Sequence, residues 1–284
     1  MTNINIKKVL WLALICIVVG GLGSIISYRL YGDATVVQTK EIDATDIQNI
    51  KMLVHNEKVE IIPTSDSIIK AELTGKGTNN SRLTAEKNGN TWAVETADKS
   101  KSFFRFHFFD WNQTLKIYLP QKVYQSLHAE IDNGSVQIDN LEINDLTVDT
   151  SNGEISVSHL QTAHSELSTN NGEIYMENIN SESVRVSTNN GKIEMKNIDG
   201  ELKGKAHNGS ISLETKQMDR PIDLQTHNGK INITTDEKPT NVTFNTSVHN
   251  GKITIFGNSN GPLVIGDGEH AIVLKTHNGS ITVE

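Results

Sequence analysis

From about residue 126 onward, apolar and polar positions alternate in short runs, and the runs recur on a nearly constant period. The clearest instance is Val148-Asp149-Thr150-Ser151-Asn152-Gly153-Glu154-Ile155-Ser156-Val157. Asn-Gly returns at Asn133, Asn152, Asn171, Asn190, Asn208, Asn228, Asn250 and Asn278, in steps of 19, 19, 19, 18, 20, 22 and 28 residues. An aliphatic pair follows nearly every one: Ile155/Val157, Ile174/Met176, Ile193/Met195, Ile211/Leu213, Ile231/Ile233, Ile253/Ile255 and Ile281/Val283. Two residues before Asn stands Thr150, Thr169, Thr188, Thr226 or Thr276. Alternation with a period of two predicts strands, not helices. Asn and Gly tolerate left-handed backbone, so each pair marks a corner. Seven residues after the first four of these Asn lie Asn140, His159, Asn178 and Asn197, each followed by Leu or Ile, which predicts a second corner.

Two architectures fit. Asn-Gly between alternating segments is the strongest short signal for a two-residue hairpin, which would give a row of antiparallel hairpins. A fixed period is the mark of stacked repeats, which would give a solenoid. Stacking like on like requires near-constant spacing and puts Asn over Asn, where side-chain amides hydrogen-bond along a column. The expected fold is therefore all-β: a parallel β-solenoid (β-helix) of about eight regular Asn-Gly coils, roughly 40 Å long at a strand spacing of about 4.8 Å. An irregular N-terminal β cap and one transmembrane helix precede it.

The organisation follows in order. Residues 1–8 are a polar head ending in Lys7-Lys8, and residues 9–28 are an uncharged apolar run long enough to cross a bilayer. Trp11 and Tyr28 sit near its ends, and the Lys pair before it predicts the N-terminus inside and the bulk of the chain outside. A cleaved signal peptide is the competing reading, weakened by the missing A-x-A site and the continuing Ile25-Ile26. Residues 29–45 read as a polar linker. Residues 46–125 read as irregular β coils and a cap, with a hairpin at Asn88-Gly89 and a strand ending at Pro120. Residues 126–284 are the regular solenoid. Phe103 to Trp111 gathers six aromatics, read first as a cap on the core and second as a loop touching a membrane or partner. Thr235–Thr240 and Gly257–His270 lengthen the period and are expected to bulge as loops. The last strand, at Val283, is expected to leave a sheet edge open to self-association, unless the Gly257–His270 insertion folds over it.

Chemistry is sparse. The only cysteine, Cys16, lies in the apolar run, which excludes an internal disulfide and a cysteine zinc site. Net charge is −8 and the lysines are scattered, so no basic footprint for nucleic acid is visible. No nucleophile elbow, zinc-protease helix or phosphate loop appears. Arginine after residue 126 is confined to Arg185 and Arg220, which disfavours a polysaccharide-active enzyme on a β-helix. The one candidate constellation is His207, His227, His249 and His277, each directly before the Asn of its pair. Stacked coils would bring these imidazoles together as a metal-binding or proton-sensitive column. Asp132, Ser151, Asn170 and Asn189 hold the same position in earlier coils, so a plain polar turn residue explains it too. No metal, cofactor or catalytic residue is assigned.

The apolar anchor, the strand closing in Leu119-Pro120 and the serial Thr-x-Asn-Gly-x-Ile phrases resemble the bacterial "putative adhesin" domain family, a family without an assigned activity. The membrane-anchored layout is similar to that of a protein encoded with a Gram-positive envelope-stress system. The resemblance implies a β-solenoid displayed outside the membrane, associated with the envelope or its stress response, and it supplies no catalytic residues. The expected function is a non-enzymatic, single-pass, extracytoplasmic binding or scaffold protein of the cell envelope. Envelope polymers, a membrane protein or a second copy are the expected partners, and a polysaccharide-active enzyme on a β-helix or a purely structural spacer are the alternatives.

Overall fold

The computed structural model describes residues 35–76, 81–98, 113–258 and 263–284. The apolar run 9–28, with Cys16, and the aromatic stretch 103–111 lie outside the described residues. Regular structure in the described residues is entirely β, and its strands join into one continuous sheet.

The regular part is a stack of parallel rungs. Ile155–Asn171 pairs with Ile174–Asn190 in parallel, Ile155 beside Ile174, Leu167 beside Val186 and Asn171 beside Asn190. Val136–Asn152 lies on its other side in the same register. A row of hairpins would need antiparallel neighbours here and is excluded. Each of these strands runs 17 residues and bends at the second corner. Asn140, His159, Asn178 and Asn197 take φ of 50 to 55°, the left-handed region. Asn enters that region cheaply because its short amide bonds locally. The bend lets both legs keep an inward aliphatic face: Ile155, Val157, Leu160 and Leu167 are all buried, as are their equivalents in neighbouring rungs.

Both ends depart from sequential stacking. His270–Asn278 lies between Ile222–Asn228 and Val242–Asn250. Ile281–Val283 lies between Ile231–Thr235 and Ile253–Ile255. The last rung in sequence is therefore inserted one place inside the stack. The N-terminal end mirrors this. Asn49–Val54 lies between Thr91–Asp98 and Val123–Asn133, and Lys58–Thr64 lies between Gln113–Pro120 and Val136–Asn152.

The structure corrects four expectations. The strand at Val283 is not an open edge, since both its sides are paired. The insertion before it covers a different strand: Leu263–Ile265 lies antiparallel on Val242–Phe244. The linker assigned to 29–45 holds a strand, Thr35–Asp43, antiparallel to Ile68–Lys76. The boundary set at 125/126 falls inside Val123–Asn133, and the sheet runs through it unbroken. Antiparallel strands finish the N-terminal end, with Ile68–Lys76 on Gln113–Pro120 and Ser81–Asn88 on Thr91–Asp98. Such additions hide a flat parallel edge that would otherwise recruit other chains.

Candidate functional site: the Asn-Gly edge

The repeated phrase builds one edge of the rod from three interlocking contacts. The first is an amide ladder. Starting at Asn250, each Nδ2 donates to the Oδ1 of the next Asn, through Asn278, Asn228, Asn208, Asn190, Asn171, Asn152, Asn133 and Asn56, at 2.7–3.0 Å. All these bonds point the same way, so each amide polarises the next. The second is a close backbone approach. A Cβ added to Gly153 would stand 1.9 Å from the Gly134 carbonyl oxygen, so only glycine lets the rungs close to strand spacing. The third is the buried Thr column. Thr169, Thr188, Thr226 and Thr276 donate to the carbonyls of Gly153, Gly172, Gly209 and Gly229.

The glycine N–H groups are held as well. Gly134, Gly153, Gly172, Gly191, Gly209, Gly229 and Gly279 each donate to the carbonyl of the Asn in the next rung. Gly251 belongs to the outermost rung, and no carbonyl among the described residues accepts its N–H. This difference has a chemical consequence. Deamidation of Asn-Gly begins when the glycine nitrogen attacks the Asn Cγ, ammonia leaves, and water later opens the cyclic imide to aspartate or isoaspartate. Asn250 is therefore expected to deamidate ahead of the seven pairs whose glycine N–H is bonded. Peptide mass spectrometry after storage of the folded protein at mildly alkaline pH reads the order. Equal rates along the ladder would contradict it.

The four candidate histidines do come together, in the order His207, His227, His277, His249. Ring centroids are 5.1, 4.8 and 4.5 Å apart and the planes lie within 5° of parallel. His277 sits between His227 and His249 because its rung is the inserted one. In such a stack the in-plane nitrogen lone pairs run side by side and do not meet at a point. No cluster of three or more His, Cys, Asp or Glu among the described residues is arranged to hold a metal. Other histidines have carboxylate partners: His55 with Asp132 at 2.7 Å, His128 with Glu130 at 2.7 Å and His159 with Asp139 at 2.9 Å. The Asp139 carboxyl is held below its usual range, first by the hydrogen bond from Ser158 and then by that from His159.

The residues flanking the ladder are those one and three before each Asn and two after it. On the rungs of Asn133, Asn152 and Asn171 the charged residues there are Glu130, Asp132, Asp149, Glu154 and Glu173. On the rungs of Asn190, Asn208, Asn228, Asn278 and Asn250 they are Lys192, Lys205, Lys230, Lys275 and Lys252, together with the four stacked histidines. From the rung of Asn133 onward charge is thus segregated along the edge, acidic on the first three rungs and basic on the next five; Lys58, which flanks Asn56 at the far end, is paired with Glu60. Lys205, Lys230, Lys252 and Lys275 are exposed. No carboxylate among the described residues stands within ion-pair distance of them. Lys192 is half-buried and paired with Glu194.

Sequence reading treated these lysines as scattered, because in the chain they are. Their spacing in near-multiples of the repeat is the signal that would have gathered them. It also missed Asn56, the far end of the ladder, because Glu57 replaces glycine there. Glu57 is buried and accepts hydrogen bonds from the Thr96 hydroxyl at 2.7 Å and the Asn56 N–H at 3.0 Å. The phrase Asn56-x-x-Val59-x-Ile61 was the available clue. At the second corner, Asn178, Asn180, Asn197, Asp199, Lys216 and Glu237 line an open groove of about 460 Å³.

The family described as Toastrack DUF4097 matches residues 47–284. The Bacillus subtilis "Uncharacterized protein YvlB" is 25% identical over 107 residues, which is 37% of this chain. The match spans 29% of that relative's length. A crystal structure of a "putative adhesin" from Bacteroides fragilis superposes with a TM-score of 0.54 at 12% identity, covering 88% of this chain and 97% of that one. That likeness is one of fold. A "putative lipid binding protein" from Parabacteroides distasonis gives a TM-score of 0.47 at 14% identity, over 87% of this chain and 97% of that one.

Proposed function

The chain belongs to the Toastrack DUF4097 family, and on that footing we propose that it is a membrane-anchored recognition module displayed outside the cell, binding or scaffolding a component of the envelope without catalysing a reaction. The carrying observation is the edge just described: the same Asn side chain presented at every rung spacing, over a core that is mainly aliphatic. A surface of that kind reads an extended partner by repetition, where an enzyme concentrates acid, base and nucleophile at one point. Many of the rod's carboxylates are matched to lysines along its faces, as in Lys58–Glu60 at 2.7 Å and Lys196–Glu214 at 3.6 Å. The name carried by the Bacteroides fragilis neighbour, an adhesin, is in keeping with a binding role.

Anchoring rests on the uncharged run Val9–Tyr28, and orientation on Lys7-Lys8 before it. A role in the envelope-stress response extends the same reading. The test is made on protoplasts expressing the full chain. Protease added outside is expected to remove the β domain, and crosslinking from intact cells is expected to enrich an envelope polymer or a membrane protein. A domain protected until the protoplasts are lysed would overturn the display reading. A display confirmed with no enriched partner would favour the structural spacer.

A further inference from the structure

We propose that the C-terminal half of the Asn-Gly edge, from the rung of Asn190 to that of Asn250, binds a linear polymer carrying phosphate groups, laid along the rod axis. The inference rests on the reading of the rod as a recognition module and names its ligand class.

Three observations carry it. The first is charge. The chain is acidic overall at −8, yet this strip presents Lys205, Lys230, Lys252 and Lys275 exposed and without carboxylate partners. Like charges held together on an acidic protein repel one another, and a polyanion relieves that repulsion. Two carboxylates on the same rungs are already engaged: Glu194 by Lys192, and Asp223 by the Gln225 amide at 2.7 Å.

The second is donor chemistry. Between the lysine flanks run the stacked imidazoles and the Asn ladder. Each Asn Nδ2 spends one N–H on its neighbour and keeps the other. Lysine, imidazole and amide N–H groups suit the several acceptor oxygens of a phosphate. Planar, two-point capture of a carboxylate calls for an arginine fork, and the strip holds no arginine.

The third is geometry. Every column repeats at the strand spacing of about 4.8 Å, so the donors form a straight track about 20 Å long over five rungs. A compact anion would touch one or two rungs, whereas an extended chain engages all of them and gains from multivalency. The acidic flank at Asp132, Asp149, Glu154 and Glu173 then sets where the track stops.

The probe is labelled long-chain inorganic polyphosphate, titrated into the full chain in uncharged detergent micelles. Saturable binding that weakens steeply with added salt is expected. The variant Lys205→Gln/Lys230→Gln/Lys252→Gln/Lys275→Gln is expected to bind about tenfold more weakly or worse, with a shallower salt dependence. The control Lys40→Gln/Lys51→Gln/Lys87→Gln/Lys216→Gln changes charge equally at exposed sites off the strip and is expected to bind like the parent. All eight lysines are exposed, so both variants are expected to melt with the parent. Competition by poly(glycerol phosphate) or by an oligothymidylate supports the inference and says whether an envelope polyol phosphate or a nucleic acid is the source. Absence of polyphosphate binding, an equal fall in both variants, or equal binding of poly-L-glutamate overturns it. Any of these outcomes leaves the recognition module to be decided by display and crosslinking in cells.

Discussion

Ending the chain at Glu269 is expected to cost two rungs, not one. The residues removed include Ile272, Leu274, Ile281 and Val283, all with 0% exposure. Burial of each is worth about 1.5–3 kcal/mol, so their direct loss alone is large beside the net stability of a domain. The indirect loss follows from the inserted order. Val242–Asn250 and Ile253–Ile255 have their parallel partners only in the residues removed. What remains for Val242–Asn250 is the short antiparallel contact with Leu263–Ile265. Asp219, which accepts from the N–H groups of Thr240 and Asn241 at 2.8–3.1 Å, pins the chain so that it enters the outer rung two levels up. The truncated protein is expected to melt more than about 10 °C lower, and limited proteolysis is expected to cut between residues 236 and 258. Continued protection of that segment would mean that the outer rung can drop onto Ile222–Asn228, and that Asp219 and the loops do not fix the order.

The order at the ends is what the sequence could not reveal, and the reason is the repetition that made the rest readable. Thr226-x-Asn228-Gly229-x-Ile231 and Thr276-x-Asn278-Gly279-x-Ile281 offer the same surface above and below. Either can follow the other, and the period says nothing about which is neighbour to which once a loop is long enough to skip a level. The same sameness made the corners legible. Asn-Gly needs its glycine because a Cβ there would run into the carbonyl of the neighbouring rung's glycine, and Asn140, Asn178 and Asn197 betray the left-handed bend. Thr35–Asp43 escaped for a different cause. It adds antiparallel at one edge and half-buries Ile42, so Val-Val-Gln-Thr-Lys-Glu carries too little alternation to register as a strand. The candidate site was half visible. Each histidine was found from its place in the phrase, but the stack order and the lysine track depend on which rung lies beside which. Both needed the topology.

Gly172→Ala is expected to be among the most damaging single changes in the rod, and Gly89→Ala among the mildest glycine replacements. At Gly172 the new Cβ would lie 1.8 Å from the Gly153 carbonyl oxygen, 2.6 Å from its carbon and 3.1 Å from the Thr169 hydroxyl. Two of these atoms are backbone and cannot swing aside. Relief requires the rungs of Asn152 and Asn171 to part, which breaks the Gly153-to-Asn171 and Thr169-to-Gly153 hydrogen bonds and strains the amide ladder at Asn171. Overpacking against backbone together with lost buried hydrogen bonds puts the expected cost on the order of 4 kcal/mol. In the middle of a stack the damage passes to both neighbours, since each rung is held only by the next. Gly89, in the hairpin turn, has φ of 62° and nothing within 4 Å of a new Cβ. Its replacement costs only the left-handed backbone preference, about 1 kcal/mol. Thermal melting of the two variants measures the contrast directly. A Gly172→Ala protein that melts with the Gly89→Ala protein would show that the rungs have slack at the corner, and that glycine is there for turning the chain and not for stacking it.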